Sequence, residues 1–142
     1  MDALDLTKRP PRGPRDLLPN LDLLMAARTV DKLRATLPGG NIGGYQITGF
    51  SSSLLNRLGI AESTLRDVIS RAVSDADIAD WVAGHSDRSQ YPEINAALER
   101  PTIGERLDDA QFVERYPIAR RLAPDTSRLD LLIADDAESF SP

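Results

Sequence analysis

The chain has 142 residues, no cysteine, one histidine and a net charge of −5. One domain of this length buries a core without a disulfide or metal staple. The lack of cysteine excludes thiol catalysis, iron–sulfur clusters and cysteine-based zinc sites, and the acidic balance argues against nonspecific nucleic-acid binding.

The first residues, MDALDLTKRPPR, lack the apolar core of a signal peptide, and the longest apolar run is far short of a membrane span. With no cysteine to protect, a reducing compartment fits. A cytoplasmic protein with neither membrane nor nucleic acid as partner is expected. Charge is uneven along the chain. Residues 1–37 hold seven Lys or Arg against five Asp or Glu, and residues 125–142 hold Arg128 against five carboxylates. A basic start and an acidic end attract each other, within one chain or between the subunits of a homodimer.

Residues 1–15 carry Pro10, Pro11 and Pro14 among Lys8, Arg9, Arg12 and Arg15. The prolines exclude helical hydrogen bonding, so an extended, polyproline-like arm is expected. PPRGP resembles a ligand for proline-recognising domains. The preferred reading is a strap over the domain, holding Leu4 and Leu6 against apolar surface and leaving the arginines wet.

Leu23, Ala26, Ala27, Val30, Leu33 and Leu37 then recur at three- and four-residue steps, which predicts an amphipathic helix. Asn20 is its expected N-cap, Asp22 sits in its first turn, and Pro38 with Gly39 or Gly40 is its expected stop. Arg28, Asp31 and Arg34 are spaced by three and meet on one side, next to Lys32. One reading is a solvated, self-neutralising face, where each exposed pair adds about 0.2–0.5 kcal/mol. The other is a site for a phosphate- or carboxylate-bearing ligand. In it Asp31 orients the two guanidinium groups, Lys32 adds a point charge, and Tyr45 and the glycine amides assist.

Gly39, Gly40, Gly43 and Gly44 do not form a phosphate loop of the P-loop type, which needs a preceding strand and a following Gly-Lys-Ser/Thr. A helix stop and sharp loop explains them better, with a backbone nest for an anion left open. Tyr45, Ile47 and Phe50 alternate and predict one short extended segment near residues 45–50. Gly49-Phe50-Ser51-Ser52-Ser53 lacks the second glycine of a hydrolase elbow; a serine cap for a helix carrying Leu54, Leu55 and Leu58 up to Gly59 is expected instead.

A further helix is predicted over Glu62 to Val73, with Leu65, Val68, Ile69 and Ala72 inward. Ser74-Asp75-Ala76-Asp77 reads as a capping box for a helix with Ile78, Ala79, Trp81 and Val82 on its apolar side. Asp75, Asp77 and Asp80 lack the glycine and the distal glutamate of a calcium loop, and no metal site is expected. Gly84 closes this helix, and His85 sits at its C-terminus, where its cation suits the dipole. A catalytic triad or metal site would have to use it, and no partner pattern accompanies it.

After the polar loop 85–90, Tyr91-Pro92-Glu93 opens a helix through Glu99, with Ile94, Ala97 and Leu98 inward. Thr102-x-x-Glu105 is another capping box, for a helix through Leu107, Phe112 and Val113 that Asp108-Asp109 would restart. Pro117 interrupts near Tyr116. Ser127-x-x-Asp130 caps the last helix, with Leu129, Leu132 and Ile133 predicted buried. The tail after Phe140 is expected to fray.

Three segments carry a resemblance. DLTKRPPRGP (Asp5 to Pro14), ARTVDKLRATLPGGNIGGY (Ala27 to Tyr45) and SDADIADWV (Ser74 to Val82) resemble the small bacterial proteins grouped as DUF5069, a domain of unknown function. The resemblance implies a single-domain bacterial protein and brings no activity, cofactor or catalytic residue with it.

These readings add up to an all-α single domain over residues 1–142. An extended arm at 1–15 precedes a body at 16–140 of six or seven short helices in an orthogonal array. Sparse β-branched residues and abundant leucine support helices over strands. Two functional readings follow. The first is a non-enzymatic module acting through a protein partner or its own copy. The second is a small-molecule binder or enzyme using Arg28, Asp31, Lys32, Arg34 and Tyr45. No cofactor is called for. If chemistry occurs, Asp31 or His85 is the candidate proton carrier.

Overall fold

The computed structural model describes residues 1–141, in which every regular element is helical. The α-helices among them are α1 (Ala26–Arg34), α2 (Phe50–Leu58), α3 (Glu62–Arg71), α4 (Asp75–Gly84), α5 (Tyr91–Glu99), α6 (Ala110–Arg115) and α7 (Arg128–Ser139). Three 3-10 turns join them, at Arg88–Gln90, Ile103–Arg106 and Pro117–Arg121. Extended pairing among the described residues is limited to isolated bridges: Asp5 with Asn41, Leu18 with Leu21, and Thr102 with Ser127. No helix among the described residues is long and apolar enough to cross a membrane. The all-α expectation therefore holds. The chain divides into two compact units, Met1–Ile94 and Asn95–Pro142.

The first unit is built around α1. Eight of its nine residues are buried, and it contacts both α2 and α3, with α4 against α3. Its apolar face, Ala26, Ala27, Val30 and Leu33, matches the predicted stripe. Its ends do not. Asn20 is not the N-cap; the helix starts six residues later, behind Met25 in the left-handed conformation (φ 69°). The intervening Leu21, Leu23 and Met25 are all buried and alternate, so they anchor a turned segment and do not wind a helix. That segment is closed by Leu21 N–H donating to Leu18 O (3.2 Å) and pinned by Met25 N–H donating to Pro14 O (2.8 Å). At the other end α1 stops at Ala35, short of Pro38. Gly40 then folds back so closely that a Cβ there would lie 2.5 Å from Ala35 O.

The segment before α1 is a strap in part. Leu6 is buried, and Leu4 to Leu6 pairs with Asn41 through Asn41 N–H to Leu4 O (2.9 Å) and Leu6 N–H to Asn41 O (2.8 Å). No strand forms over residues 45–50; the alternation of Tyr45, Ile47 and Phe50 lies in an irregular loop, and Phe50 already begins α2. Gly49 (φ 59°) occupies the cap position, so the expected serine cap is absent. The serines instead enter the helix, where Ser51 is fully buried with its Oγ 2.9 Å from Thr29 Oγ1. Gly59 ends α2 in the left-handed conformation, as its sequence context predicts. Helix α3 ends two residues earlier than expected, with Leu65 and Ile69 buried. Ser74 and Asp77 form the predicted capping box of α4.

Helix α5 crosses the division at its midpoint and has the predicted span. In the second unit, Ile103, Phe112, Ala119 and Leu131 form a small core flanked by Leu107, Tyr116, Ile118 and Leu122. The Thr102–Glu105 capping box is present but opens a 3-10 turn, and α6 restarts only at Ala110. Asp109 causes the restart: its carboxylate accepts from Gln111 N–H (3.0 Å) and Phe112 N–H (3.2 Å). Gly104 lies against Pro124, its N–H donating to Pro124 O at 2.9 Å. Ser127 caps α7 through Asp130 N–H (3.0 Å). The buried face of α7 is Leu129, Leu131 and Asp136; Leu132 is half-buried and Ile133 exposed, because Leu131 is the residue that enters the Phe112 core. In the tail after Phe140, Ser141 N–H and Oγ both donate to Glu138 O, while Pro142 lies outside the described residues.

Candidate functional site

The polar residues that the sequence places on one side of α1 are not a solvated face. Arg28 is 1% exposed, Asp31 3% and Lys32 7%. Charged side chains are seldom buried to this degree without a specific arrangement around them. Arg28 and Lys32 lie one helical turn apart, so two cations occupy adjacent buried positions of the same helix.

Arg28 is held on two sides. Its Nη1 donates to Arg12 O at 3.3 Å, and its guanidinium carbon lies 5.6 Å from the centre of the Tyr45 ring. That is cation–π range, and Tyr45 is itself half-buried. Tyr45 owes its position to the loop after α1. Gly43 turns with φ 59°, its N–H donates to Asn41 Oδ1 (2.9 Å), and a Cβ there would press on Thr7 and on the Leu6 carbonyl. The strap residues thus fix the loop, and the loop fixes the aromatic ring. The amides of Gly40 and Gly43 are taken by Leu37 O and Asn41 Oδ1, which removes them from any anion nest.

Asp31 is a counter-ion, and its principal partner is one that sequence reasoning missed. Arg12 donates to it from the backbone N–H (2.7 Å to Oδ2), from Nε (3.1 Å to Oδ2) and from Nη2 (3.0 Å to Oδ1). The far side of the same guanidinium grips Asp75 at the start of α4, with Nη1 to Oδ2 at 2.7 Å and Nη2 to Oδ1 at 3.2 Å. Burial opposes the Arg12 charge, but the hydrogen bonds to Asp75 and then Asp31 outweigh it and raise its pKa further above the usual arginine range. Arg12 is therefore not one of the wet arginines of a strap. Arg34, in contrast, stands at the edge of the constellation. Its Nε donates to Asp2 O (2.8 Å), and its Nη1 is 3.9 Å from Asp31 Oδ1.

The remaining candidates have local roles. Asp77 accepts from Val73 N–H (3.0 Å) and Ser74 N–H (3.2 Å). His85 stacks on Trp81, ring centres 4.1 Å apart and 13° from parallel, with Nδ1 2.8 Å from Trp81 O. Among the described residues no group of three or more His, Asp or Glu side chains is disposed to hold a metal ion.

The structure thus sets Arg28 against Tyr45 and the Arg12 carbonyl, joins Asp31 to Arg12 and Arg12 to Asp75, buries Lys32 one turn beyond Arg28, and leaves Arg34 at the margin. No curated protein matches the chain. The family model DUF5069, described as a domain of unknown function, matches residues 8–137, a span that includes Arg12, all of α1 and Asp75, and the chain belongs to that family.

Proposed function

We propose that the protein binds a small molecule bearing a phosphate or carboxylate, with Arg28 and Lys32 as the anion-recognising groups and Tyr45 as the aromatic wall beside them. The observation that carries this reading is the burial of two cations on adjacent turns of α1, one of them over a half-buried tyrosine. A ligand anion would meet two kinds of donor there, the planar fork of a guanidinium and the point charge of an ammonium. Asp31 serves as the fixed counter-ion of Arg12, so no proton-transfer role is assigned to it.

The alternative, a module docking a protein partner or a second copy, has less behind it. The exposed large apolar side chains among the described residues, Leu17, Val73 and Ile133, come from three separate stretches. Residues 4–12 are bonded to Asn41, Asp31 and Asp75, which does not favour a mobile arm.

Calorimetric titration with inorganic phosphate and with citrate tests the proposal. Saturable binding of at least one is expected, weakened about tenfold or more by Arg28→Lys and by Lys32→Gln, since each loses a charge-assisted contact of about 1.5–3 kcal/mol. Binding of neither anion, or equal binding by both variants, contradicts it.

A further inference from the structure

We draw no further inference here: the strongest candidate, the open groove between α3 and α4 lined by Asp67, Arg71, Asp77 and Trp81, has Asp67 and Arg71 paired with each other and Asp77 spent on the cap of α4, and nothing in the structure shows what covers it.

Discussion

Arg12 holds Asp31 by main chain and side chain at once: its amide lies 2.7 Å from Oδ2 while Nη2 lies 3.0 Å from Oδ1. A carboxylate nearly sealed from solvent is thereby neutralised by a residue 19 positions earlier, and the strap is joined to α1 by the same contact. The direction of dependence matters for stability. Removing Asp31 leaves an arginine that can reach water and still holds Asp75, whereas Arg12→Ala leaves a carboxylate that cannot reach water, with the position-12 amide and, at 3.9 Å, Arg34 beside it.

Arg12→Ala should therefore destabilise the protein more than Asp31→Asn does. The expected losses are about 3 kcal/mol for Arg12→Ala and about 2 kcal/mol for Asp31→Asn, from the cost of breaking a largely buried, hydrogen-bonded pair. Urea unfolding at neutral pH measures both, and the reverse order would show that Asp31 is solvated in the folded protein.

Asp75→Asn should cost less, about 1 kcal/mol or below, because the Arg12–Asp75 pair is partly open to water and exposed pairs contribute little. A double-mutant cycle between positions 12 and 75 reads the interaction directly. A coupling as large as that between 12 and 31 would contradict the ranking.

Two glycines should respond in opposite directions to alanine. At Gly40 a Cβ would meet the Ala35 carbonyl at 2.5 Å, and backbone on both sides must shift, so Gly40→Ala is expected to cost about 1–3 kcal/mol. At Gly84, the last residue of α4, a Cβ meets nothing within 4 Å, and Gly84→Ala is expected to raise stability by about 0.5–1 kcal/mol. Thermal unfolding of the two variants checks the pair.

Acid should loosen the second unit through its caps. The Asp109 carboxyl is held below its ordinary pKa by hydrogen bonds from Arg106 and from Phe112 N–H, and that of Glu105 chiefly by Thr102 N–H. A lowered folded pKa stabilises above the unfolded value, near about pH 4, and the benefit is lost as pH falls through the folded value. Amide exchange or circular dichroism between pH 5 and pH 2 should show α6 weakening, with a shallower pH dependence in Asp109→Asn. An identical acid profile in that variant would contradict the role of the cap.

The helices were legible where local chemistry decides them. Ser74 with Asp77, Ser127 with Asp130 and Gly59 after Leu58 each mark a boundary from within four residues, and the starts of α4 and α7 and the end of α2 lie where those marks put them. The start of α1 was not legible in the same way. Leu21, Leu23 and Met25 fit a helix through Leu23 and a turned segment through their alternation, and the bonds from Leu21 N–H to Leu18 O and from Met25 N–H to Pro14 O select the second. The site was half legible. The three-residue spacing of Arg28, Asp31 and Arg34 identified the helix face but not its burial, which depends on α2, α3 and the strap. Arg12 carried no local signal: its partners lie 19 and 63 residues away, and its place among prolines reads as solvated arm.

The central claim, that Arg28 and Tyr45 receive an anion, is tested most directly by side-chain NMR. Arginine Nε–H and tyrosine ring resonances are followed while inorganic phosphate, then citrate, is added to the wild-type protein. The account predicts saturable shifts of Arg28 and Tyr45 with a common midpoint, while the exposed Arg115 and Arg120 respond only weakly and without saturation. Shifts of equal size on the exposed arginines, or none at Arg28, would contradict it.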